Sequence, residues 1–191
     1  MSTSTIVLIA AGVLLLMMYM WYVSIVTKRN STLEALSGID AQLQKRSNLI
    51  PNILTIAKKL MEHEKALMTS ITQLRSRTAK SYDKKDPAQV KDHLRSSAKL
   101  SASMDQLMIT MENYPDLKSQ GAMMEAQNAY TQTEEHIAAA RRFYNSSVTE
   151  YNNAVQIFPG SLIAAMMGAK PMPFYKAPPQ ASKPVNASDI L

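Results

Sequence analysis

The chain opens with a block that carries no charge and continues with a stretch in which charges recur every few residues. From Ser2 to Thr27 there is no Asp, Glu, Lys, Arg or His, and from Ile6 to Val26 nearly every residue is apolar or aromatic. At ~1.5 Å of helical rise per residue, this run covers the ~30 Å hydrocarbon core of a bilayer. A cleaved signal peptide would show a basic start, a shorter apolar run and a small-residue cleavage site. Here the start is Met-Ser-Thr-Ser-Thr, and the run ends in Tyr19, Trp21 and Tyr22, the composition of an interfacial aromatic belt. The pattern predicts a transmembrane anchor over residues 1–27.

Beyond Thr27 the apolar positions follow a seven-residue period. One series is Leu36, Leu43, Ile50, Ala57 and Ile71; a second, offset by three, is Ile39, Ile53, Leu60, Leu67 and Leu74. Paired series of this kind form the seam of a packed helix. They predict one long helix from Lys28 to about Lys80, continuous with the anchor. Pro51 lies inside it and predicts a kink, since the heptad register passes through without a slip. The alternative is a new helix capped by Ser47 or Asn48.

The segment Ser81–Pro87 predicts a connection. Asp86-Pro87 is a helix start, with a carboxylate cap followed by a residue that needs no N–H partner. The second helix is expected to run to Asn113 and to end at Tyr114-Pro115-Asp116. A third helix, from about Leu117 to Ile157, carries the seam Met123, Tyr130, Ile137, Tyr144, Tyr151 and Phe158. Pro159-Gly160 stops it, and residues 161–169 form a short fourth helix. Five prolines in the 21 residues from Pro171 predict a disordered tail over 170–191. The expected fold class is therefore all-α. A single N-terminal transmembrane helix continues into a long kinked helix, and residues 28–169 form an antiparallel three- to four-helix bundle. A first helix of ~75–80 Å would overreach partners of ~40 and ~60 Å, leaving seam free for self-association.

Charge refines this picture. The chain carries +6 overall; residues 28–100 carry a net +8 and residues 101–191 a net −2. The basic density peaks at Arg75, Arg77, Lys80, Lys84, Lys85, Lys91, Arg95 and Lys99, expected at the first turn of the bundle. Anionic lipid is one partner for such a cluster, and a solvated tip is the other reading. Nucleic acid is not expected, since no aromatics are interleaved and no recognition motif occurs. Lys28 and Arg29 directly after the span place the C-terminal domain in the cytoplasm of a single-pass cell-membrane protein; a periplasmic domain is the alternative.

Candidate chemistry is sparse. The chain has no cysteine, which removes disulfides, thiolate ligands and cysteine nucleophiles. His63, His93 and His136 are preceded three positions earlier by Leu60, Val90 and Thr133, so the Glu-x-x-His pairs of a bundle di-iron site are missing. These histidines read as surface or cap residues. No catalytic or nucleotide-binding motif occurs, and no cofactor, metal or enzymatic activity is expected. Methionines 104, 108, 111, 123, 124, 166 and 167 read as adaptable packing, with thioether copper ligation as the alternative. Arg46, Glu64, Glu134 and Arg141 fall on or beside apolar seams. They read as an interhelical polar network that fixes register, or as a polar site for a peptide or lipid headgroup.

Several blocks together resemble the LemA family. They are Ile39-Asp40, Arg46-Ser-Asn-Leu-Ile-Pro51-Asn52, His63-Glu64-Lys65, Tyr114-Pro-Asp-Leu-Lys118, Glu134-Glu135-His136-Ile-Ala-Ala-Ala-Arg141-Arg-Phe-Tyr144-Asn145, Tyr151-Asn152 and Phe158-Pro159. The resemblance covers residues 29–169. It implies an N-terminal anchor and an antiparallel helical bundle without assigned enzymatic activity. It also implies a link with the membrane protease HtpX, and through the magnetosome relative MamQ a link with membrane shaping. The expected function is a membrane-anchored scaffold or adaptor that self-associates and binds membrane proteins or lipid. The alternative is a structural protein whose ordered assemblies impose curvature.

Overall fold

The computed structural model describes residues 2–58, 61–115 and 121–176. Helix α1 (Thr3–Lys58) has 56 residues and runs unbroken from the apolar block into the charged part of the chain. It contains a window long and apolar enough to cross a membrane, none of which is buried inside the protein. Burial begins at Ile25 and then follows the heptad positions Leu36, Ile39, Leu43, Ile50, Ile53 and Ala57.

One helix from Lys28 to Lys80 does not form. Helix α1 ends at Lys58, the backbone leaves helical geometry at Met61 (φ −114°, ψ 53°), and a 3₁₀ turn spans Glu62–Glu64. Helix α2 (Lys65–Thr78) then runs back along α1. The reason lies in the seam. A straight helix would carry Glu64 at an apolar position, whereas the turn leaves it half-buried at the start of α2 and seats Met61 fully in the core. Leu60 lies outside the described residues; Ile71 is buried and Leu67 and Leu74 pack at the core edge.

Pro51 lies within α1 and no new helix starts at Ser47 or Asn48. A proline leaves the carbonyl four residues earlier without its helical donor. That carbonyl, on Ser47, instead accepts a hydrogen bond from Arg75 Nε of α2 at 2.8 Å. The returning helix thus compensates the proline.

Helix α3 (Pro87–Thr110) starts as the sequence predicts: the Asp86 carboxylate accepts from the Ala88 N–H at 2.9 Å and Pro87 occupies the first turn. A 3₁₀ turn at Met111–Asn113 closes it before Tyr114. The predicted start of the next helix at Leu117 lies outside the described residues. Helix α4 (Gly121–Gln156) buries Met123, Tyr130, Ile137, Tyr144 and Tyr151, but the last seam position, Phe158, is 78% exposed. Phe158 falls beyond the end of α4, where helical phase no longer aims it at the core. Helix α5 (Gly160–Met167) ends at Gly168, whose φ of +63° is the left-handed turn that closes a helix.

The four longer helices form an antiparallel bundle. Thr32 Oγ1 donates to the Ser147 carbonyl of α4 at 3.2 Å, and Arg46 meets Glu134 farther along the same pair. Helix α2 packs on α3, and α5 packs against both α1 and α4. The core has two apolar clusters. One lies toward the apolar end, around Ile39, Tyr144 and Tyr151; the other lies toward the far end, around Ile53, Met104 and Met123. Among the described residues the α1 heptads are covered by the chain's own helices, so the uncovered-seam argument for self-association does not hold.

The tail also departs from expectation. Residues 171–176 are extended and packed, with Met172 and Tyr175 buried. Asn152 accepts from the Met172 N–H at 2.8 Å and donates to the Met172 carbonyl at 3.0 Å. Asn145 does the same for Tyr175, at 2.9 and 3.1 Å, and the Tyr144 hydroxyl donates to the Pro173 carbonyl. A proline-rich segment of this kind makes no regular internal hydrogen bonds, so its backbone is free for these side chains. The rest of the expected tail, 177–191, lies outside the described residues.

Candidate functional site

Between the two apolar clusters α1, α3 and α4 enclose a polar waist. Arg46 is 1% exposed there. It donates to Glu134 Oε1 of α4 at 3.1 Å, to the Ser97 carbonyl of α3 at 3.2 Å and to Ser101 Oγ. Ser101 and Glu134 Oε2 stand 3.5 Å apart. A buried guanidinium must be both paired and hydrogen-bonded, because its planar fork cannot lose its proton. Helices α3 and α4 supply those partners to a side chain of α1, so the waist fixes how the three helices are aligned. Burial raises the carboxyl of Asp105 on α3 above the usual range, and the Glu134 charge adds to this against Arg46. The waist retains polar atoms without protein partners: Arg46 Nε, Ser97 Oγ and the Tyr130 hydroxyl.

Of the four seam charges, the structure brings together Arg46 and Glu134 only. Glu64 stands at the start of α2, and Arg141 lies 5.8 Å from the centre of the Tyr175 ring, where it covers the packed tail. The ion-pair network is therefore smaller than the sequence predicts.

A second polar group escaped sequence reasoning. Asp40 of α1 accepts from the Tyr82 hydroxyl at 2.9 and 3.0 Å, and Lys84 Nζ lies 2.7 Å from it. His93 of α3 stacks on Tyr82 with ring centres 4.1 Å apart and places Nε2 3.4 Å from Asp40. His93 is nearly buried, unlike the surface residue expected, because the returning connection lays Tyr82 over it. A cleft of about 270 Å³ borders this group and Arg46. Burial opposes the charge of Asp40, but His93 beside it, Lys84 and the Tyr82 hydroxyl outweigh this and hold the carboxyl below its ordinary value of 3.8. A carboxyl lowered by folding stabilises the protein above its unfolded pKa, and that contribution fades as pH falls through the folded value. Asp40→Asn is therefore expected to flatten the acid side of the stability profile. Chemical denaturation from neutral pH to about pH 3 checks this; an unchanged acid limb would show that Asp40 is not held by this group.

The basic residues stand in a different part of the bundle from the one expected. The α2–α3 connection returns to the level of Ser37 and Asp40, where Lys84 reaches both. It thus lies ~15 Å above Thr27 by helical rise, not at the distal tip of a long rod. Lys80 and Lys85 are exposed in this connection, Lys91, Arg95 and Lys99 are exposed along α3 beyond it, Arg77 makes an exposed ion pair with Asp92, and Arg75 is committed to the Ser47 carbonyl.

Among the described residues no three His, Asp or Glu side chains gather closely enough to hold a metal ion. Of the methionines, Met104, Met111 and Met123 are core residues, whereas Met124 and Met166 are exposed. The missed residues Asp40, Asn145 and Asn152 all sit inside quoted sequence blocks, and the repeated Tyr-Asn at a spacing of seven was the available signal for the tail contact.

The model of the LemA family matches residues 35–188, most of the chain, and the chain belongs to that family. No curated protein matches the sequence.

Proposed function

We propose, from this membership of the LemA family, that the protein is a non-enzymatic scaffold. It is anchored by the apolar part of α1, which confines copies to two dimensions and so favours their self-association, and it binds membrane proteins and anionic lipid. Lys28 and Arg29 favour a cytoplasmic domain in a single-pass cell-membrane protein, and a membrane protease of the HtpX type is the protein partner the family resemblance suggests. The observation that carries the proposal is the direction of the basic connection. An anchor that ends at Thr27 and a helix hairpin that returns to Ser37 bring the connection with Lys80 and Lys85, and the first turns of α3 with Lys91, toward the anchored end of the bundle. Clustered cations near an acidic leaflet each contribute ~1 kcal/mol.

Full-length protein in nanodiscs of neutral or acidic lipid, read by native mass spectrometry, tests both parts. Retained acidic lipid is expected to fall when Lys80, Lys85 and Lys91 are replaced together by Glu; no change would refute lipid recognition. Discs with more than one copy support self-association, and a single copy at every loading ratio contradicts it. The second reading, membrane shaping, draws support from an exposed apolar surface beside α1.

A further inference from the structure

The exposed apolar surface of a folded chain is ordinarily scattered, and a contiguous patch needs an occupant. Here Ile157, Phe158, Leu162 and Met166 are 58%, 78%, 59% and 74% exposed, while Ile163 and Ala164 on the other side of α5 are buried. The patch falls in a second charge-free stretch: from Tyr151 to Ala169 there is no Asp, Glu, Lys, Arg or His, and Glu150 and Lys170 bracket it.

The structure puts the two charge-free stretches side by side. Lys28, at the end of the first, pairs with Glu150, at the start of the second, at 3.4 Å. From that level α4 continues toward the apolar end. Gly160 packs against Trp21, and Ile163, Met166 and Met167 line a cleft with Met18, Tyr19 and Tyr22. By helical rise these α1 residues lie ~9–15 Å to the apolar side of Lys28. If α1 crosses a bilayer, α5 stands at the depth of the lipid.

We infer that the end of α4, Phe158 and α5 form an interfacial wedge, inserted beside the transmembrane helix with Ile157, Phe158, Leu162 and Met166 against lipid acyl chains. This rests on the reading of α1 as a membrane anchor. The charges that flank the wedge, Glu150 with its partner Lys28 and Lys170, lie at its rim, which is the arrangement of an apolar segment in the interface plane with its flanks in the headgroups. Asn153 and Gln156 are exposed at the α4 end; they keep that end at the interface. The chain then leaves the lipid through Lys170, and the Asn152 and Asn145 contacts return it to the bundle. The anchor would thus be one full helix and one half-inserted corner on the same leaflet. A one-sided insertion widens that leaflet, which supplies a physical route to the shaping reading.

The absence of native cysteine allows a direct test in the full-length protein. Single-cysteine variants Phe158→Cys, Leu162→Cys, Leu8→Cys and Ser37→Cys carry a nitroxide label in liposomes. Collisional access to oxygen and to an aqueous nickel chelate is then measured. Labels at 158 and 162 are expected to favour oxygen several-fold over the Ser37 label, at a depth between Ser37 and Leu8. Water-exposed labels at 158 and 162 with a deep label at 8 would overturn the wedge and leave the anchor standing. A water-exposed label at 8 would overturn the anchor and the wedge with it. Labels at 158 and 162 shielded from both reagents would mean that protein, not lipid, covers the patch, and would also overturn it.

Discussion

Replacing Glu134 by Leu is expected to destabilise the bundle by about 3 kcal/mol, near the low end of the range for breaking a buried ion pair. The guanidinium of Arg46 is 1% exposed and would keep only Ser97 and Ser101 as neutral partners. Glu134 retains 28% of its side-chain surface, so water can reach the space it leaves and moderates the loss. The double variant Arg46→Met with Glu134→Leu is expected to recover most of the stability, since it removes the stranded charge together with its partner. Denaturant titration of the wild type, both single variants and the double variant checks the cycle. A double variant as unstable as the sum of the singles would mean that the two residues do not act as a pair. A fold preserved in the double variant with loss of lipid or partner binding would recast the waist as a recognition site.

The second large effect is expected at Gly160. A Cβ at this position would overlap the carbonyl oxygen of Ala154, which is backbone and cannot rotate away, and would stand 3.4 Å from the Trp21 ring. Gly160→Ala should therefore cost about 1–3 kcal/mol as an overpacked contact, and it should act locally by pushing the start of α5 off the end of α4 and so shifting it against Trp21. Trp21 is the only tryptophan and reports that contact directly. A shift of its emission with unchanged helicity is the expected result; unchanged emission would show that α5 does not seat on α1.

The elements most legible in the sequence are those with local chemical punctuation. Asp86-Pro87 starts α3 and Tyr114-Pro115 closes it because a capping carboxylate and a missing N–H act within one turn. The heptads of α1 and α4 identify the buried face for the same local reason. The end of α1 has no such mark: residues 57–66 contain neither Gly nor Pro and favour helix throughout. The chain turns there because Met61 finds a place in the core and Glu64 does not fit the seam, which is a tertiary cause. That turn decides where the basic residues stand, so their membrane-side position could not be read from charge counting. His93 was misjudged for a related reason, since its partner Tyr82 arrives from the returning connection. In the tail, proline content signals lack of helix but is silent about packing. Asn145 and Asn152, one heptad apart on α4, supply the backbone partners that make residues 171–176 part of the bundle.

The central claim is that the bundle doubles back, so that the α2–α3 connection faces the membrane and the α1–α2 turn points away. Energy transfer from a single fluorophore to acceptors in the lipid headgroups measures this in the full-length protein. A label at Ser81 is expected to transfer efficiently, at ~15 Å from the end of the span, and a label at Ala66 weakly, at ~45 Å or more. The opposite order, with Ser81 farther from the bilayer than Ala66, would be the result of a single extended rod and would contradict the account.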